Sequence, residues 1–131
     1  MKVLALLLIA LPAGAHAADT AQRLDSFVDS FDSVAEWATI PAGKARAAIA
    51  RERDRQGSSM RVDFDFTQGG GEIIVHRHLP LTLPDNYAVT FRLRGTATQP
   101  LEVRLVDASG QNVWRYEHPE FRVPPAWRTI R

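Results

Sequence analysis

The 131-residue chain has no cysteine and only two methionines. No disulfide can close its loops, so a packed core, with or without a bound metal, has to hold it together. Neither sign of charge prevails: 16 lysines and arginines face 15 aspartates and glutamates. That balance argues against a general binder of polyanions such as nucleic acid. The single long apolar run, residues 3–11, falls short of the roughly 20 residues needed to cross a bilayer. Catalytic signatures are missing too. Ser58, Ser59 and Ser109 lie outside any nucleophile elbow. Gly69, Gly70 and Gly71 stand between strand-like segments rather than before a helix, which excludes a phosphate cradle. Asp63 and Asp65 share one strand face and would not flank a glycosidic bond. The chain reads as non-catalytic.

What is present begins with an address. Lys2, the apolar run and the small residues Ala15, His16 and Ala17 make a secretory signal peptide, with cleavage expected after Ala17. The product would be periplasmic or extracellular, and residues 1–17 are expected to stand outside the fold. Taking 17 residues from 131 leaves 114, one domain with a modest core. Lys2 is the only charged residue lost, so the mature chain would carry 15 charges of each sign. They are unevenly spread: residues 19–36 are mostly acidic and residues 44–61 mostly basic.

After a polar lead-in at residues 18–23, the pattern is of strands. The clearest stretch is 101–116. Leu101, Val103 and Leu105 alternate with Glu102 and Arg104, a run rich in turn formers follows, and Trp114 and Tyr116 then share one side of a second strand. This predicts an antiparallel hairpin with two large aromatics near its turn. Met60, Val62, Phe64 and Phe66 alternate with Arg61, Asp63 and Asp65. Residues 72–79 make the next strand, and Tyr87, Val89, Phe91 and Leu93 mark another. Residues 45–53 suit a helix by propensity but also alternate, and their β neighbours favour an edge strand. Leu24, Phe27, Val28 and Phe31 suit a helical turn as well as a short strand with an irregular loop, and the strand is preferred. Residues 127–131 look like a strand with no closing turn, so the sandwich is expected to be incomplete and the chain to be the N-terminal part of a longer protein. Short strands at regular spacing with little helix predict an all-β antiparallel sandwich.

The stretches VDSFDSVAEW at 28–37, RVDFDF at 61–66, LPLTLP at 79–84 and VDASGQNVW at 106–114 give this pattern a resemblance. Residues 24–131 resemble the N-terminal carbohydrate-binding-like domain of secreted bacterial discoidin, or coagulation-factor type C, domain proteins. The resemblance implies a galactose-binding-like jelly roll, often joined to glycoside hydrolase modules, and a structural calcium near the first strand.

Candidate site residues follow from side-chain chemistry. Trp114 and Tyr116 offer faces for stacking on sugar rings, with Arg115, Glu117 and His118 as hydrogen-bonding neighbours. The competing role for these aromatics is core packing. Trp37, beside a loop, is expected in the core or as a lid at the sandwich rim, and Trp127 is expected to pack. His76 and His78 share a strand face and suit sugar or solvent better than zinc, for which no third ligand is identifiable. Asp25, Asp29 and Asp32 are suitable oxygen ligands for calcium, although a solvated acidic loop is the simpler reading. Arg61, Asp63, Asp65, Arg92, Arg94, Glu102 and Arg104 are expected to form cross-strand ion pairs. Together these features predict a secreted carbohydrate-binding module, partnered by downstream domains of its own polypeptide. The alternative is a β-sandwich spacer that packs on such a domain and binds no glycan. Exposure of Trp114 and Tyr116 separates the two.

Overall fold

The structure, a computed structural model, describes residues 28–83, 85–98, 100–117 and 120–131, together with the backbone of residues 2–10. In chain order the strands are β1 (Lys2–Ala10), β2 (Ala38–Pro41), β3 (Arg46–Asp54), β4 (Gly57–Asp65), β5 (Gly71–Leu79), β6 (Phe91–Leu93), β7 (Leu101–Asp107), β8 (Val113–Glu117) and β9 (Arg128–Ile130). The described residues contain no helix. A five-stranded sheet has the order β2-β5-β1-β7-β8, and two ribbons, β3-β4 and β6-β9, complete the architecture. The chain is all-β.

Alternation dictates how the layers meet. On β5, Ile73, Val75 and Leu79 are buried, and Ile73 is fully so. On β7, Leu101 and Leu105 are buried on the same side. Against this surface lie Ala47 and Ile49 from β3 and Met60, Val62 and Phe64 from β4. Each fully buried aliphatic side chain of this kind contributes about 1.5–3 kcal/mol. Trp37 and Phe66 close the core at its edge. Trp37 packs, as expected.

The β3–β4 hairpin resolves the helix-or-strand ambiguity of residues 45–53. Nine residue pairs run from Arg46↔Asp65 to Asp54↔Gly57, leaving a two-residue loop. The Asp54 carboxylate accepts from the Gln56 amide at 2.7 Å, and Gly57 takes a φ of 123°. Pro41 ends β2, an edge strand, where a missing N–H costs no internal pairing.

Three expectations change. Residues 28–31, the described part of the segment expected as a short strand, form none: Asp29, Ser30 and Ser33 side chains bond to nearby amides and hold an irregular loop. Residues 24–27 lie outside the described residues. The strand expected from Tyr87 shortens to Phe91–Leu93, because β9 supplies partners only from Ile130 to Arg128. Finally, Lys2–Ala10, expected to stand apart, lies as β1 between β5 and β7, parallel to both. An apolar segment that remains attached can settle in a gap between two strands that do not pair with each other. Residues 11–17, the rest of the segment expected to be a signal peptide, lie outside the described residues. No helix of the described residues is long and apolar enough to cross a membrane.

Candidate ligand cleft

The β7–β8 turn positions the aromatic pair. The Asp107 carboxylate accepts from Ser109 Oγ at 2.7 Å and Asn112 Nδ2 at 2.5 Å, and its backbone carbonyl accepts from the Gly110 amide at 3.0 Å. Gly110 supplies the left-handed φ of 73° that the turn requires. These bonds, led by Ser109 and Asn112, pull the Asp107 pKa down to about 2. The register that results sets Trp114 opposite Leu105 and Tyr116 opposite Val103.

Trp114 and Tyr116 are 55% and 53% exposed, although they share the face of the buried Leu105. They line a cleft of about 240 Å³ between β7–β8 and the β6–β9 ribbon. Tyr87, Val89 and Phe91 line it as well, together with Ile130, the β9 partner of Phe91, and Arg131. Tyr87 is 44% exposed, and it completes the set of exposed aromatics among the described residues. The alternation of Tyr87 with Phe91 placed it on the correct face, but nothing local distinguished a cleft wall from core. The cleft is mostly apolar, and its polar groups sit on aromatic rims and at Arg131.

The other predicted ligand residues lie elsewhere. In the registers, His76 and His78 align through β1 with Arg104 and Val106, and Arg115 and Glu117 pair with Arg104 and Glu102. All four therefore occupy the outer face of the sheet, behind the aromatics. Arg115 borders the cleft, yet its guanidinium donates to Glu102 at 2.9 Å. Arg104 also pairs with Glu102 and reaches Glu72 at 3.7 Å. Glu102 is only 3% exposed, and two guanidiniums compensate its burial. The Glu102 hydrogen bond leads the effects that raise the Arg104 pKa. His76 and His78 stack edge to face at 6.1 Å. His118 lies outside the described residues.

The acidic loop turns its carboxylates towards protein donors. Asp29 Oδ2 accepts from Trp37 Nε1 at 2.7 Å and from Arg77, while Oδ1 accepts from the Phe31 amide at 2.8 Å. Burial pushes the Asp29 pKa up, but these bonds and the Arg77 charge outweigh it and leave it lowered. Asp32 accepts from Ser58 and Ser30 hydroxyls at 2.8 and 2.9 Å, bonds that lower its pKa, and its backbone carbonyl accepts from Arg51. The acidic loop thus docks on the β3–β4 hairpin through Arg51 and Ser58. Asp25 lies outside the described residues, and no three metal-ligating side chains gather among those that are described.

The expected ion-pair ladder forms only in part and in two separate places, with the Asp65 carboxylate accepting instead from the Thr67 amide. On the ribbon side Arg61 pairs with Asp63 at 3.0 Å and Glu52 at 3.6 Å, and Arg94 pairs with Glu52 at 3.5 Å. Arg92 and Arg94 also stack on the Trp127 ring at 5.3 and 4.8 Å, which makes Trp127 a packing residue. Glu102 and Arg104 belong to the sheet's outer face. No protein-family model, curated protein or solved structure matches the chain.

Proposed function

We propose that this is a non-catalytic carbohydrate-binding domain, exported by the N-terminal signal sequence and built as a jelly-roll-like sandwich. One observation carries the reading: Trp114, Tyr116 and Tyr87 converge, half-exposed, on a single cleft. Half-exposed aromatics present both an apolar ring for the C–H face of a sugar and a hydroxyl or indole N–H for its hydroxyls. A cleft of about 240 Å³ suits one or two sugar units held at its mouth better than a chain enclosed along its length. Arg131 supplies a charged donor at the cleft end. Tethering to a neighbouring catalytic module would raise the local sugar concentration and compensate for modest affinity.

Calorimetric titration of the chain with neutral oligosaccharides tests this. Binding that weakens at least tenfold in Trp114→Ala, about 1.4 kcal/mol, supports the stacking role. The mostly apolar lining favours a second reading, a spacer that packs this cleft on its own downstream domain. Under that reading no sugar gives heat, and Trp114→Ala weakens only the contact between domains.

A further inference from the structure

The charge balance of the whole chain hides a local imbalance. Residues 87–100 and 121–131, which carry β6, β9 and their flanks, contain five arginines and no aspartate or glutamate. Strand geometry places two of them. Phe91 and Ile130 pair across the ribbon and line the aromatic cleft. Arg92 and Thr129 pair one residue further along, so they lie on the face turned away from it. Arg94 repeats the position of Arg92 two residues on, and all three are exposed. Trp127 gathers the two guanidiniums, with Arg92 at 5.3 Å and Arg94 at 4.8 Å from its ring centre. Two like charges over one indole repel each other, and carboxylates answer them incompletely. Arg94 reaches Glu52 at 3.5 Å, but Glu52 is shared with Arg61 at 3.6 Å, and all three side chains are exposed. Arg92 has no carboxylate partner among the described residues.

We propose that this face of the β6–β9 ribbon is a second binding surface, which takes a polysaccharide carrying uronic-acid carboxylates. Arg92 is its anchor, with Arg94 beside it. A guanidinium offers a planar fork that matches a carboxylate through two parallel bonds. Holding that fork over an indole reduces the rotamer freedom lost when an anion binds. The Thr129 hydroxyl, opposite Arg92, supplies a donor and acceptors for a sugar hydroxyl. The exposure of Arg92, Arg94 and Thr129 suits a polymer lying across the ribbon rather than a small anion enclosed within it. An incoming carboxylate relieves the repulsion between the arginines, and at Arg94 it competes only with a solvent-exposed pair. The surface shares with the cleft a class of ligand but no residues, so either reading can fail without the other.

Affinity electrophoresis of the chain through gels containing polygalacturonate tests this. Fully methyl-esterified polygalacturonate keeps the backbone and loses the charge, whereas polyglutamate keeps the charge and lacks the sugar. Polygalacturonate should retard the chain, less so as salt rises, and either control polymer should bind at least tenfold more weakly. Arg92→Gln should weaken the interaction about tenfold, the scale expected for losing a charged hydrogen-bonding group. Arg55→Gln removes the same charge from the β3–β4 loop and should change nothing. Excess neutral oligosaccharide, which would occupy the cleft, should not displace the polymer. The absence of retardation, or equal retardation by the esterified polymer or by polyglutamate, would overturn the proposal. So would equal losses in Arg92→Gln and Arg55→Gln, which would show attraction to charge alone. Displacement by neutral oligosaccharide would overturn it too, by putting the polymer in the cleft.

Discussion

Arg77 of β5 ion-pairs with Asp29, and so fastens the loop that precedes β2 to the inner face of the main sheet. The same carboxylate accepts the Trp37 indole N–H, so one half-buried acid orients both a core aromatic and a core-facing cation. Glu36 provides Arg77 with a second, exposed partner.

Removing that acid should be costly. Asp29→Ala leaves a largely buried guanidinium with only Glu36, and an indole N–H without its acceptor. We expect a loss of about 3 kcal/mol in urea unfolding, with fluorescence reporting a looser Trp37. Asp29→Asn keeps an acceptor and should lose less.

The same residue sets an acid dependence. Its folded pKa is lowered, so its contribution is fully present above the unfolded value near 4 and is lost as pH falls through the lowered folded value. Asp32 and Asp65 act in the same direction, through the Ser58 and Ser30 hydroxyls and through Thr67 respectively. Stability measured from pH 5 downwards should therefore fall, and Asp29→Asn should flatten part of that fall. By carboxyl NMR, Asp107 should titrate at about pH 2, and Asn112→Ala should move it towards the ordinary value.

Gly71 opens β5 where the chain passes close to Ala42. A Cβ there would meet the Ala42 carbonyl oxygen at 2.1 Å, with the backbone held by the Ala42 amide bond to Glu72 at 2.9 Å. Gly71→Ala should cost about 2 kcal/mol or more by thermal unfolding. Gly70→Ala, with open space around it, serves as the control.

Much of the strand framework was legible because apolar residues recur on one face of the long strands. β4 and β7 announced themselves by alternation, β5 less cleanly because Ile74 and Arg77 interrupt it, and the Asp107 to Asn112 turn by its side chains. Arg77 shows where such reading stops. A charge on the apolar stripe of Ile73, Val75 and Leu79 signals a buried counter-ion, yet which acid answers it depends on a contact across 48 positions. The candidate site was half legible. Trp114 and Tyr116 were identifiable as a pair, but Arg115, Glu117, His76 and His78 went to the opposite face. Adjacency in sequence means opposite faces on a strand, and that rule outweighs chemical suitability. Tyr87 was missed as a ligand residue because only the packing of β6–β9 over β7–β8 makes a cleft beside it.

The most direct measurement is a glycan array comparing the wild-type chain with Trp114→Ala and Tyr116→Ala, each first shown to unfold at the wild-type temperature. At 55% and 53% exposure, neither truncation should disturb the core. The account predicts glycan signal from the wild type and loss of it in both variants. Equal signal from all three proteins, or none from the wild type, would contradict it.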